Sequence, residues 1–330
     1  SNPAELSLTT KMANSPEDVV VFLEELAAKA KPFAQKELDE IEKYSSQIES
    51  IRKVEPWDIP FISEKLKKSR FSIDSEELRN YFPLSKVLLG LFETVKDLFG
   101  CEILKEQENT AEILWEQSVQ VFKVVGEGKV TGYFFFDLFS REEKRGGAWM
   151  DECRSRIKYD NGVQTPIALM NCNFSQPIDH EDVYLTHDEV VTLFHEFGHG
   201  LHHLLTEIDY LEISGISGVE WDAVELPSQF LENFAWEYET LQKISKHRDT
   251  GLPINREMFE KIYAAKNFNS GLQMIRQIEF ALFDILIHKD LDSCELLDDN
   301  HVYKKVLEIL EIVRREISVI KQPSFVLFPN

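Results

Sequence analysis

Only four of the 330 residues are cysteine, and Cys101, Cys153, Cys172 and Cys294 lie far apart with no paired spacing. That excludes a disulfide framework and a thiolate metal site, and leaves reduced core thiols as the expectation. Basic side chains are scarce too: 36 Lys and Arg against 58 Asp and Glu give a formal charge of -22. Phosphate contacts need basic patches, so this balance argues against a nucleic-acid partner. No apolar run reaches membrane-spanning length and no signal-peptide pattern is present, so the sequence reads as cytoplasmic, with no membrane partner. Internal repeats and low-complexity tracts are absent. The stretch Ser214-Gly215-Ile216-Ser217-Gly218 lacks the lysine and the preceding strand of a phosphate cradle, and is read as a mobile loop at a channel mouth. What is present is ordinary globular material, 43% hydrophobic, with enough chain to bury a large core in one or two domains.

Apolar residues recur at helical spacing over 16–52, 60–69, 74–81 and 84–99. Ser15-Pro16-Glu17-Asp18 is a helix start, with proline in the first turn. The character changes near 118. Ser118–Val125, Val130–Leu138 and Thr165–Asn173 are short β-rich runs, and Gly126-Glu127-Gly128-Lys129 makes a hairpin turn between the first two. A sheet of three or four strands is expected, with Val183-Tyr184-Leu185 at its edge, where an extended peptide could pair through main-chain hydrogen bonds. After Asn255 the helical pattern returns to about 320, with Gly271 an interruption and Pro323 a stop.

Residues 195–199 read HEFGH. Thr186 with Glu189 predicts a capping box, so a helix starts near His187 and places His195 and His199 one turn apart on one face. Two imidazoles so placed can grip one metal ion, and Glu196 is positioned to reach a water on it. Val190, Phe194, Phe197, Leu201 and Leu204 form an apolar stripe broadened by Val191 and Leu205, so the helix is expected to be buried. Hydrogen-bonded core histidines would explain neither imidazole nor the carboxylate in such a helix. Gly198 and Gly200 each cost about 1 kcal/mol in a helix interior, and are read as points where another backbone comes close. His202 and His203 are read as channel-lining or core hydrogen-bonding residues.

A third ligand sorts such sites into classes. A three-histidine pattern would need histidine at 205 and glycine at 202, but these are Leu205 and His202. A carboxylate from a later helix is the alternative. Asp222, Glu225, Gln229 and Glu232 fall on one helical face beside Leu226, Phe230 and Phe234, and Pro227 puts Glu225 in a first turn. Glu225 is therefore the expected third ligand, as a buried carboxylate facing the first helix, with Asp222 or Glu232 orienting a ligand histidine. The expected fold is mainly α: a multi-helix metallopeptidase catalytic domain with one small β-sheet flanking the HExxH helix. Residues 1–117 would form its N-terminal helical part, 118–185 the sheet region, and 186–330 the zinc-site helices and the C-terminal helical part.

The runs TLFHEFGHGLHHLLT and SGISGVEWDAVELPSQFLENFAWE resemble the oligopeptidase A branch of the thimet oligopeptidase family of zinc metallopeptidases. So do PWDIPFISEKL, FPLSKVLLGLF, GYFFFDLFSREEKRGGAWMDECR, LMNCNFSQP and AAKNFNSGLQMIRQIEFALFD, which together cover nearly the whole chain. The resemblance implies one Zn2+ ion held by His195, His199 and Glu225, Glu196 as general base, and short peptide substrates cleaved internally. Two departures stand out. The family's Trp-His pair is Trp115-Glu116 here, and a glycine- and tyrosine-rich segment that helps bind substrate and stabilise the oxyanion has no counterpart. With SNPAELSLTTKMA at its start and LFPN at its end, the sequence reads as the central catalytic portion of a longer enzyme, expected to bind metal with impaired activity. The alternatives are a dipeptidyl carboxypeptidase variant and a metal-binding fragment that only holds peptides.

Overall fold

Proline behind a capping serine starts the longest helix where the sequence places it: Ser15 accepts a hydrogen bond from the Asp18 N–H and the helix runs Pro16–Ser45. The computed structural model describes residues 2–48, 53–106, 114–178, 181–290 and 299–320. In chain order α1 (Pro3–Leu8), α2 (Pro16–Ser45), α3 (Ile59–Phe71), α4 (Ser75–Arg79) and α5 (Leu84–Phe99) come first. Seven strands follow: β1 (Glu102–Lys105), β2 (Gln120–Gly126), β3 (Lys129–Phe139), β4 (Trp149–Arg154), β5 (Ile157–Tyr159), β6 (Gly162–Gln164) and β7 (Ile167–Phe174). Helices then resume as α6 (His187–Leu204), α7 (Leu226–Glu232), α8 (Tyr238–Ile244), α9 (Arg256–Ala265), α10 (Ser270–Asp290) and α11 (Asp299–Glu316). The architecture is mainly α with a small mixed sheet, as expected. Residues 49–52, Cys294 and Pro323 lie outside the described residues.

Two compact units divide the chain, Ser1–Ser72 with Ala264–Asn330, and Ile73–Tyr263. In the first, Ala34, Leu38 and Ile41 of α2 pack with Leu272 and Ile275 of α10 and Val313 of α11. Gly271 is where α10 meets α2: a Cβ there would lie 2.7 Å from the Ala34 nitrogen. The Gly271 and Leu272 N–H groups donate to the Glu37 carboxylate at 3.1 and 2.8 Å, which satisfies the start of α10.

The second unit is built on a five-stranded sheet of order β1-β2-β3-β7-β4, in which β3 and β7 are parallel and the other pairs antiparallel. Glu127 and Gly128 both have positive φ in the two-residue β2–β3 turn, the conformation that suits a twisted hairpin. Phe134 and Phe136 of β3 project to one face and meet Phe122 of β2 and Phe197 of α6, with ring centroids 4.9–5.8 Å apart. The sheet thus flanks α6. β1 and β4 are edge strands with mostly exposed residues, so neither shows the alternation that reveals a strand in sequence. The expected edge at Val183–Leu185 is corrected: Tyr184 makes an isolated bridge to Pro83. Leu84 N–H donates to the Val183 carbonyl and Leu185 N–H to the Phe82 carbonyl, so this segment's backbone is committed to the start of α5.

A buried ion cluster closes one end of the parallel pair. Asp137, 3% exposed, accepts two hydrogen bonds from Arg141 (2.7 and 2.8 Å), one from the Trp115 indole (2.9 Å) and one from Lys144 (2.9 Å). The Lys144 ammonium also reaches the carbonyls of Asp137, Phe139 and Cys172. It spans β3 and β7 where their register shifts, between Asp137 and Phe139.

Candidate metal centre

The Thr186 hydroxyl accepts from the Glu189 N–H (3.1 Å) and the Glu189 carboxylate from the Thr186 N–H (2.7 Å), the reciprocal cap that starts α6. Val190, Phe194, Phe197, Leu201 and Leu204 are all buried. Their stripe sets the helix's rotation and leaves His195 and His199 together on the opposite side, ring centroids 4.9 Å apart.

Gly198 determines what meets them. A Cβ at this position would lie 2.6 Å from the Pro227 carbonyl oxygen and from the Ser228 Cα, so only glycine admits the start of α7 to the surface of α6. Gly200 differs from the expectation, because its Cβ would meet the Met170 side chain rather than a second backbone. The close approach at Gly198 delivers Glu225, the residue preceding α7. Its Oε2 lies 3.1 Å from His195 Nε2 and 3.0 Å from His199 Nε2. Ser228 Oγ donates to that oxygen at 2.9 Å and helps hold the carboxylate in place. One ligand atom from each of the three residues lies within 4.8 Å of the others.

A carboxylate accepts and does not donate, so the 2.5 Å contact of His195 Nδ1 with Glu232 puts the ring proton on Nδ1. In the neutral ring Nε2 then carries a lone pair aimed at a Glu225 oxygen, acceptor against acceptor. Burial pulls His199 below the usual imidazole range against the influence of Glu225, which favours the bare ring at that position. Two imidazoles and a carboxylate in this arrangement fit a borderline divalent cation such as zinc. Glu196, one residue along, is 5% exposed, and its Oε2 has no hydrogen-bond partner among the described residues. Burial pushes its carboxyl up to about 7, with His195 opposing and Glu225 adding to the shift.

A profile of peptidase family M3 matches residues 1–322. The chain belongs to peptidase family M3. It is 44% identical over 331 residues to oligopeptidase A of Salmonella typhimurium, matching 100% of this chain and 47% of that protein. To organellar oligopeptidase A, chloroplastic/mitochondrial, of Arabidopsis thaliana it is 40% identical over 296 residues, 87% of this chain and 37% of the relative. Saccharolysin of Saccharomyces cerevisiae is 30% identical over 311 residues, 89% and 43% respectively. The chain spans about half the length of the curated relatives it matches.

Within this M3 chain the structure brings together His195, His199 and Glu225, with Glu196 beside them in the chain. Of the two candidates for orienting a histidine, Glu232 is the one bonded to His195, and Asp222 lies on the turn before α7. The expected burial of Glu225 is corrected: its side chain is 51% exposed. On α7, Ser228 and Leu231 are buried while Leu226 and Phe230 face outward. Seven residues give too short a helix for its apolar pattern to dictate its rotation, and the Gly198 contact does so instead. His203 is a core hydrogen-bonding residue, 0% exposed, with Nε2 against the Arg154 carbonyl at 2.9 Å. The stretch 214–218 is packed rather than free: Gly215, at φ +65°, lies against the His203 ring, and Ser217 donates to Glu152. Glu232→Gln is expected to lower zinc affinity about 10- to 100-fold with the helical circular dichroism unchanged. Competition with a chromogenic chelator reads this, and an affinity equal to the parent chain's would reject the orienting role.

Proposed function

We propose that this chain carries the metal-binding and catalytic portion of a zinc-dependent endopeptidase of the oligopeptidase type, acting on internal bonds of short peptides. The observation that carries the reading is the convergence of His195 Nε2, His199 Nε2 and Glu225 Oε2 beside the buried, unpartnered oxygen of Glu196. His195, His199 and Glu225 would hold the ion, with Glu232 fixing the His195 ring through Nδ1. A bound zinc would supply Lewis-acid chemistry, acidifying a water and polarising the peptide carbonyl. Glu196 Oε2 takes the water's proton as the water attacks the carbonyl carbon, and returns it to the departing amide nitrogen, so that the C–N bond breaks to a carboxylic acid and an amine, and the acid's remaining proton then passes to the amine to leave a carboxylate and an ammonium. The carboxyl's burial, which raises its affinity for a proton, suits a group that must take one from water. The half-exposed side of Glu225 leaves the centre open to a peptide. The free thiols Cys101, Cys153 and Cys172 fit a reducing, cytoplasmic setting, and among the described residues no helix is long and apolar enough to cross a membrane.

The test is metal content followed by cleavage. The purified chain, dialysed against zinc, is expected to retain one ion per chain and His199→Ala to retain none, as read by plasma emission spectrometry. Internally quenched peptides with both ends blocked are expected to be cleaved away from their termini. Equal zinc content in the two proteins would reject the site, and cleavage that requires a free C-terminus would replace the endopeptidase reading with a dipeptidyl carboxypeptidase.

A further inference from the structure

Gly90 brings α5 and α8 together: a Cβ there would lie 2.6 Å from Ile244 Cγ2 and 2.8 Å from the Lys243 carbonyl carbon. One turn further along each helix, at Thr94 and Thr240, the space between them opens into a cavity of about 550 Å³ bounded on a third side by Arg256 and Phe259 of α9. That volume is in the range of pockets that hold small ligands, roughly 300–1,000 Å³. The cavity lies wholly within the second unit, and none of His195, Glu196, His199 and Glu225 lines it.

Leu98, Phe234, Tyr238 and Phe259 form its apolar wall. Its charged lining is of both signs, with Asp97, Glu237 and Glu239 against Lys243 and Arg256. Lys243 and Asp97 satisfy one another at 2.5 Å. Arg256 is held over two rings, its guanidinium carbon 5.0 Å from the Tyr238 centroid and 5.2 Å from that of Phe259, so it has little freedom left to lose on binding. Its Nε donates to Glu260 at 3.4 Å, which leaves the two terminal nitrogens for a ligand. Glu237 and Glu239 form no ion pair among the described residues. Thr240 is 6% exposed, and its hydroxyl has no hydrogen-bond partner among the described residues, so a polar ligand group would satisfy it.

We propose that this cavity binds a short zwitterionic peptide of dipeptide size with apolar side chains, at a site separate from the candidate metal centre. The peptide's carboxylate pairs with the Arg256 guanidinium, whose planar fork suits it, its ammonium pairs with Glu237 and Glu239, and its side chains lie against Leu98 and Phe234. Both signs are needed. A simple anion would meet two unpaired carboxylates, and a simple cation would meet the guanidinium. Peptide hydrolysis is the class of reaction that supplies such a ligand, since each cut creates a new carboxylate and a new amine.

The experiment titrates Leu-Phe, its N-acetyl derivative and its C-terminal amide into the metal-free parent chain and into His199→Ala by isothermal calorimetry. The free dipeptide is expected to bind both proteins with affinities equal within about two-fold, and each blocked derivative to bind at least about ten-fold more weakly. Arg256→Gln, at a side chain 64% exposed, is expected to abolish the distinction between acid and amide while the penalty for acetylation remains. Replacing Glu237 and Glu239 together by Gln is expected to do the reverse. No heat of binding, equal affinity for free and blocked peptides, or end preferences that survive these substitutions overturn the proposal. So does binding that is lost in His199→Ala, which would put the peptide at the candidate metal centre. Zinc content enters none of these outcomes, so the metallopeptidase reading stands or falls separately.

Discussion

Replacing Glu196 by Gln is expected to lower peptide turnover by about 100- to 10,000-fold while the zinc content stays at one ion per chain. The two outcomes separate because Glu196 is not among the three residues whose ligand atoms converge, while its Oε2 has no hydrogen bond to lose among the described residues. Gln keeps the volume and the neutral polar character of the protonated acid, so the buried site loses little packing. What it cannot do is take a proton from water. The measurement pairs hydrolysis of an internally quenched peptide with metal analysis of the same sample. Turnover within a few-fold of the parent would remove Glu196 from the mechanism, and loss of zinc would mean that its carboxylate supports the metal rather than the proton transfer.

Asp137→Asn is expected to be the most destabilising single change in the second unit, at about 3–5 kcal/mol. Lys144 is 4% exposed and pairs with a carboxylate equally buried. The amide would leave that ammonium without a counter-charge and turn an NH2 group toward three donors, Arg141, Lys144 and Trp115. The same cluster sets a pH dependence. Burial alone would raise the Asp137 carboxyl, but hydrogen bonds from Arg141, Trp115 and Lys144 outweigh it and hold the group at about 2. This lies below the unfolded value of about 3.9, so the stabilisation is fully present above that pH. It is lost as pH falls through about 2. The parent chain should therefore lose about 2–3 kcal/mol between pH 5 and pH 1 through this residue, a loss that Asp137→Asn would not show. Urea unfolding followed by tryptophan fluorescence reads both, because Trp115, Trp149, Trp221 and Trp236 all lie in the second unit. A neutral-pH loss below about 1 kcal/mol would show that Lys144 is satisfied by its three carbonyls alone.

Features with a period or a spacing were legible in the sequence. The 3.6-residue repeat and capping pair of α6 located the helix, and the i, i+4 histidines and a carboxylate ahead of Pro227 named the residues that the structure brings together. The hairpin turn at Glu127-Gly128 was equally readable, since two positive-φ positions between β-rich runs leave few alternatives. Exposed short strands were not. β4 carries Met150, Asp151, Glu152 and Cys153 with no alternation, because an edge strand with exposed residues is under no burial constraint. The Asp137 cluster was invisible for another reason: Trp115, Asp137, Arg141 and Lys144 are ordinary residues until β3 and its following turn fold back on themselves. Contact at a single glycine, rather than apolar periodicity, fixes α7, so the outward setting of Leu226 and Phe230 is not readable from the sequence.

That contact also divides the compliance of the candidate metal centre. At Gly198 the two helices meet through backbone alone, with no flexible side chain to compress or extend, so the separation of the imidazoles from the start of α7 is effectively rigid. Glu225 is attached differently: half in solvent and tethered by Ser228, its carboxylate can swing. Cations of different ionic radius would then be accommodated by movement of the carboxylate and not of the histidines. Discrimination among divalent ions would accordingly be tuned at Glu225 and Ser228, and the imidazoles would act as a fixed gauge.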